Sequence, residues 1–200
     1  MNFTIENVLE RTTDTKALYI GSDAVSRVPP LFLDMVVGDT AIKAIVVADS
    51  TTYEVAGASV EEALKGAGIA TEKAFIFSDA NLHAEWKFIE KLESYLSRVD
   101  ATPIAVGSGV INDLTKLVSS HLGKPYMVFG TAVSMDGYSA YGASITYKVL
   151  KQTFDCKAPA AIAISPEICA AAPKELAASG YADLMAKVPA GADWLLGNAL

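Results

Sequence analysis

Residues 104–122 read Ile104-Ala105-Val106-Gly107-Ser108-Gly109-Val110-Ile111-Asn112-Asp113-Leu114-Thr115-Lys116-Leu117-Val118-Ser119-Ser120-His121-Leu122. A short apolar run enters a glycine pair, and an amphipathic stretch from Ile111 to Leu122 leaves it, which is strand, tight turn, helix. Glycines at such a junction let the backbone approach a pyrophosphate, whose charge then rests on the free amides of the helix N-terminus. The common dinucleotide fingerprint wants a third glycine where Asn112 stands, so that motif is incomplete. An ordinary tight turn, with Asp113 favouring the helix start, reads equally well from these residues alone.

Outward from this unit the pattern repeats about every thirty residues, the size of a βαβ unit. Apolar runs fall at Ala17–Ile20, Ala44–Ala48, Ala74–Phe77, Tyr126–Phe129 and Ala160–Ile164. Most are apolar at consecutive positions, as parallel strands covered on both faces must be. They end on Gly21, Asp49, Ser78, Gly130 and Ser165, as the central run ends on Gly107. Helical stretches lie between them at Tyr53–Lys65 and Ala84–Leu96. The expected fold is therefore α/β, an open and mostly parallel sheet flanked by helices, Rossmann-like, with ligands beyond the carboxyl ends of the strands. Residues 139–157 read as extended chain, a hairpin. Beyond Pro166 the composition turns to Ala-rich helix, Pro173–Val188 and then Gly191–Leu200. The boundaries expected are an α/β domain over 1–165 and the first helices of an incomplete helical domain over 166–200.

Composition narrows the function classes. Of 200 residues 52% are apolar and 20% charged, enough for a real core and against intrinsic disorder. Sixteen basic against 23 acidic side chains give a net charge of −7, which repels phosphate backbones, so no nucleic-acid partner is expected. No apolar run reaches the roughly 18 residues of a membrane span, and no secretory signal is visible, so a cytoplasmic protein without a membrane partner is expected. Two cysteines and two histidines do not readily make a structural zinc site.

Two loops add chemistry. Asp49, at the tip of the second run, is placed to hydrogen-bond an adenosine ribose and repel a 2′-phosphate. Asp-Ser-Thr-Thr is equally a helix-capping sequence, and the two roles can coexist. Gly130-Thr131-Ala132-Val133-Ser134-Met135-Asp136-Gly137-Tyr138 brings small hydroxyl residues and an aspartate to the same edge, suited to orienting a polar substrate.

Together Gly107 to Lys116, His121-Leu-Gly-Lys-Pro125-Tyr, Thr131 to Tyr138, Ala48 to Tyr53, Asp79 to Ala84 and Gly180-Tyr-Ala-Asp183 with Ala192-Asp193-Trp194 resemble the iron-containing alcohol dehydrogenase and dehydroquinate synthase-like superfamily. The nearest branch is that of sn-glycerol-1-phosphate dehydrogenases. The resemblance implies an NAD(H)-dependent, metal-assisted oxidoreductase interconverting dihydroxyacetone phosphate and sn-glycerol 1-phosphate, a step in phospholipid metabolism. It further implies a small phosphorylated polyol or ketone as substrate and a possible homo-oligomer. By position it gives Asp49 to the ribose, and Gly107, Ser108, Gly109, Val110, Asn112 and Asp113 to the pyrophosphate. Thr131 and Ser134 fall to the cofactor, Asp136 to substrate orientation, and Asp183 to a divalent metal (Zn, Ni or Fe) held only in a complete protein.

Three departures accompany it. Asp23 replaces a usual glycine, Ala140 a usual serine, and two further metal-binding histidines are expected beyond residue 200. His121, near the end of its helix, and His83, at a helix entry, read as structural; Asp183 can equally pair with Lys187 one turn on. The chain alone is accordingly expected to lack dehydrogenase activity. Glycerol dehydrogenase and a non-catalytic dinucleotide-binding module are the alternatives.

Overall fold

The computed structural model describes residues 4–36 and 42–199. The six apolar runs become parallel strands of one sheet: β1 (Ala17–Ile20), β2 (Lys43–Asp49), β4 (Phe75–Phe77), β5 (Thr102–Gly107), β6 (Met127–Gly130) and β9 (Ala161–Ile164), joined by the two-residue β3 (Ala70–Thr71). The order is β1-β9-β6-β5-β2, with both β3 and β4 pairing on β2. The chain therefore moves outward from β2 to β4, then crosses back to β5 on the other side. That reversal opens a crevice at the carboxyl ends of β2 and β5.

Consecutive apolar residues are explained by two cores. Ile45, Val47, Ala105, Val128 and Ile162 face one side, with α5 (Trp86–Leu96) and α6 (Gly109–His121). Ala44, Val46, Ala48, Ile104, Val106, Met127, Phe129, Ala161 and Ala163 face the other, with α2 (Ala24–Met35) and α4 (Ala58–Gly66). Period-two alternation thus serves both faces, and no position in the strand centres is left for a polar residue. Helix α2 carries Pro29 and Pro30, which conceal it from a propensity reading. A short α1 (Ile5–Leu9) precedes β1.

The segment expected over Tyr53–Lys65 is divided. Asp49 opens a three-residue α3 (Ser50–Thr52), a π-helical turn spans Tyr53–Gly57, and α4 follows. Residues 139–157 form the expected hairpin, β7 (Ala143–Tyr147) against β8 (Leu150–Phe154). It lies over α6: Lys116, 1% exposed, donates to Ala140 O and Gly142 O, both at 3.0 Å. Lys116 also stands 3.5 Å from the Asp113 carboxylate.

After β9 comes α7 (Pro166–Ala171), capped by the Ser165 hydroxyl. The tail departs from expectation. Instead of a break near Pro189, one helix, α8 (Lys174–Ala199), runs through Pro189 and Gly191. It buries no side chain, and Tyr181, Leu184, Val188, Trp194, Leu195 and Leu196 are all exposed. A proline ring needs space and an acceptor left free one turn back, and an uncovered helix meets both conditions in water.

Candidate functional site

A cleft of about 960 Å³ lies at the crevice between β2 and β5. The tips of β2, β4, β5 and β6 form its floor, and α7 with the start of α8 supplies a wall through Glu167, Ile168, Pro173 and Leu176.

Asp49 caps its helix and stands on the cleft. Its Oδ1 accepts the Thr52 amide at 2.8 Å, and the Thr52 hydroxyl takes the Asp49 amide at 3.1 Å, a reciprocal cap. The residue also lines the cleft, and its Oδ2 accepts no hydrogen bond among the described residues. One carboxylate oxygen fixes the rotamer while the other remains available to a ligand.

The turn after β5 exposes amides. The first intrahelical bond of α6 is Asn112 N–H to Ser108 O, 2.9 Å, so the amides of Gly109, Val110 and Ile111 precede the helix's own acceptors. Ser108 does not cap them, because its hydroxyl is hydrogen-bonded to that of Ser134. All four of these residues, Ser108 to Ile111, line the cleft with Thr131, Ala132 and Ser134. Gly107 sits just behind, where a Cβ would meet Ile111 Cβ at 2.7 Å. Its carbonyl accepts the Thr131 amide at 3.1 Å, which ties the two loops together. Tyr138, buried, donates to Ala132 O at 2.7 Å, and burial pushes its hydroxyl's pKa up, so it stays a neutral donor.

Asn112 and Asp113 belong elsewhere. Asn112, fully buried, accepts the Tyr126 hydroxyl at 3.0 Å, and Asp113 accepts the Ser144 amide of the hairpin at 3.2 Å. The helical turn carries both side chains away from the cleft, so what the loop offers an anion is backbone from Gly109 to Ile111. Burial raises the Asp113 pKa, opposed by the Lys116 ammonium.

Asp136 and Asp183 meet outside the cleft. The Asp136 amide donates to Asp183 Oδ2 at 3.1 Å, and Lys187 Nζ is 3.2 Å from Asp136 Oδ2 and 3.2 Å from Asp183 Oδ1. The Asp136 amide first, and Lys187 second, hold the Asp183 carboxyl below the usual range. The Asp183–Lys187 pairing is legible one turn apart in the sequence; the third member, 47 residues earlier, is not. Sequence reasoning also misses the Ser108–Ser134 bridge and the wall from α7, since neither has a local signal.

The residues present suit a dinucleotide but not a metal. Open amides, an unengaged carboxylate oxygen and a cleft at the switch point match a ribose and pyrophosphate. Among the described residues no three His, Cys, Asp or Glu side chains come together to hold a metal ion. His121 instead pairs with Glu93 at 3.2 Å, at the far end of α6, and His83 is exposed ahead of α5. No helix among the described residues is long and apolar enough to cross a membrane.

Residues 19–173 match the family model described as iron-containing alcohol dehydrogenase. The chain belongs to the iron-containing alcohol dehydrogenase family. Its curated relatives include glycerol-1-phosphate dehydrogenase (NAD(P)+) of Halalkalibacterium halodurans, 33% identical over 157 residues, 78% of this chain and 39% of that protein. The Bacillus subtilis protein of the same name is 28% identical over 98% of this chain and 50% of its own length. The chain thus spans half or less of these relatives. Solved structures share the fold: an iron-containing alcohol dehydrogenase from Thermotoga maritima, TM-score 0.72 at 14% identity, covering 86% of this chain and 52% of that one. A glycerol dehydrogenase from Schizosaccharomyces pombe gives 0.69 at 18% identity, covering 86% and 43%. These curated relatives lie in the glycerol-1-phosphate dehydrogenase branch of the family.

Proposed function

We propose that this chain forms the NAD(H)-binding part of an oxidoreductase that interconverts dihydroxyacetone phosphate and sn-glycerol 1-phosphate. The observation that carries the reading is the convergence of Asp49 Oδ2 and the amides of Gly109, Val110 and Ile111 on one cleft at the sheet's switch point. NAD(H), when bound, supplies or accepts the hydride exchanged with C2 of the three-carbon substrate.

Asp49 accepts a ribose hydroxyl, and the three amides take the pyrophosphate with the favourable end of the helix dipole behind them. Thr131 and Ser134 present hydroxyls on the facing loop, and Asp136 orients the substrate's hydroxyl groups. The charges of the lining select the cofactor. Asp49, Asp79 and Glu167 line the cleft, and among the described residues no lysine or arginine does. A 2′-phosphate would enter a field of carboxylates without a counter-ion, so NAD(H) is preferred over NADP(H).

Calorimetric titration of the 200-residue chain with each reduced cofactor tests this. NADH binds, and NADPH binds on the order of ten-fold more weakly or less. Asp49→Asn keeps an N-cap and removes the charge, so it weakens NADH and narrows the gap to NADPH. Equal affinities in the unchanged chain, or no binding, would overturn the proposal. Because these residues do not complete a metal site, the chain alone oxidises no NADH with dihydroxyacetone phosphate and added metal; a clear rate would falsify that part.

A further inference from the structure

Among the described residues, the buried side-chain polar atoms without a hydrogen-bond partner all lie on one helix: Asn112 Nδ2, Thr115 Oγ1 and Ser119 Oγ. Steps of three and four residues put them in file on one face of α6. Ser119, 1% exposed, also lines a second cavity, of about 350 Å³. Buried polar groups are nearly always paired, so three orphans in a row ask for a partner that is not protein. The cavity lies at the opposite end of the sheet from the Asp49 cleft, ahead of β1, β6 and β9, where Asp14, Tyr126 and Ala160 line it.

In a chain of net charge −7 this cavity gathers Lys116, Lys124 and Lys157. Lys116 is committed to the hairpin carbonyls and Asp113. Gly123, at φ 64°, turns the chain at the end of α6, and Lys124 Nζ reaches Val99 O at 2.9 Å and Ala101 O at 3.2 Å. One of its three hydrogens is left over. Lys157 is exposed, and its side chain has no ion pair or hydrogen bond among the described residues. Two features oppose an anion. Asp14 lines the cavity, its Oδ2 accepting the Ala158 amide at 3.1 Å, and the carboxyl end of α6 carries about half a negative charge. The carbonyls of Val118, Ser119 and Ser120 at that end are already taken by the amides of Leu122, Lys124 and Gly123. The ammoniums of Lys124 and Lys157 therefore outweigh the opposition, and the cavity is electropositive.

We propose that this cavity is a binding site for a small oxyanion, a phosphate group, held by Lys157, by the remaining hydrogen of Lys124 and by the Ser119 hydroxyl. A tetrahedral oxyanion accepts from several donors at once, and hydrogen bonds from ammonium groups to it are the strong, charge-assisted kind. Lys157, on a flexible stem at an exposed position, can follow the anion in. Hydration water entering with it can serve Thr115 and Asn112, further along the same face. The cavity shares no lining residue with the Asp49 cleft, so a test of one is independent of the other.

The test titrates inorganic phosphate into the isotope-labelled 200-residue chain, with chloride holding the ionic strength constant, and follows the backbone amide resonances. Saturable shifts are expected at Ser119, Ser120, Gly123 and Lys157. Lys157→Gln weakens phosphate about ten-fold, the loss of one charge-assisted hydrogen bond, and Ser119→Ala about five-fold, the loss of a neutral one. Lys151→Gln, which removes an exposed lysine of the hairpin, leaves the affinity unchanged. A merely structural Ser119 would not alter phosphate affinity when its hydroxyl is removed. Methyl phosphate in a parallel titration distinguishes the sources of the group: tighter binding than inorganic phosphate assigns the site to a phosphate monoester, weaker binding to the free ion. The proposal is overturned if phosphate shifts only the amides of Gly109 to Ile111 in the other cleft, if chloride alone gives the same shifts, or if either Lys157→Gln or Ser119→Ala binds phosphate as the parent does.

Discussion

Replacing Lys116 with Met lowers the stability of the domain by about 3–5 kcal/mol at neutral pH, the cost of breaking a buried ion pair from one side. The ammonium is 1% exposed and serves three acceptors: Ala140 O, Gly142 O and the Asp113 carboxylate. Methionine fills the volume but leaves two carbonyls without a donor and Asp113, with a side chain 19% exposed, without its counter-charge. The loss depends on pH in a defined direction. Burial already holds the Asp113 pKa above its ordinary value, so the folded state keeps its proton to higher pH than the unfolded chain. Stability contributed by this group therefore falls as pH rises from the ordinary carboxylate range through the raised value. Removing Lys116 pushes that value higher still, so the variant's deficit is smaller in acid than at neutrality. Urea unfolding at several pH values measures it, and Asp113→Asn in the same background recovers part of the loss. A deficit below about 1 kcal/mol would mean that the hairpin is held by its apolar side alone.

Gly107→Val has the second large effect, and it falls on the cofactor site. The glycine's own Cβ position is 2.7 Å from Ile111 Cβ and 2.8 Å from Ile111 Cγ1, both on the helix that begins two residues later. A branched side chain there forces β5 and α6 apart, at about 1–3 kcal/mol for overpacking. The same displacement moves the amides of Gly109 to Ile111 and breaks the Thr131 amide's hold on Gly107 O. NADH affinity falls by about a hundred-fold, because a 1 Å error in a cradle of fixed amides forfeits most of its hydrogen bonds. Gly66→Ala serves as control. Nothing lies within 4 Å of its Cβ, so the helix gains up to about 1 kcal/mol and NADH binding is unchanged. Equal NADH affinity in Gly107→Val and the parent would remove the glycine turn from the site.

Much of this is legible in the sequence itself. Parallel strands between two helical layers announce themselves as unbroken apolar runs, and all six fell in one sheet. Asp49 is readable as a cap, and as a residue of the sheet's carboxyl edge, because both follow from its place at a strand tip. What escaped depended on helical phase or on distance along the chain. Asn112 and Asp113 follow the glycine pair directly, yet a 100° turn per residue aims them at Tyr126 and Ser144. Pro189 looked like a stop, and α8 passes through it because nothing packs there to oppose the ring. Asp136 joined Asp183 and Lys187 through a contact spanning 47 residues, which no local pattern encodes.

The strand order also sets when the domain can fold. Among the described residues β1 pairs with β9 alone, and the Thr15 hydroxyl bonds Pro159 O across 144 residues. On a ribosome adding about 5–20 residues each second, β1 therefore emerges many seconds before its partner exists. Its apolar residues must wait while β2, β5 and β6 assemble, and the ring of contacts closes last at the sheet's edge. Such a high contact order makes slow folding, and a nascent chain that chaperones can bind, a property of the topology itself.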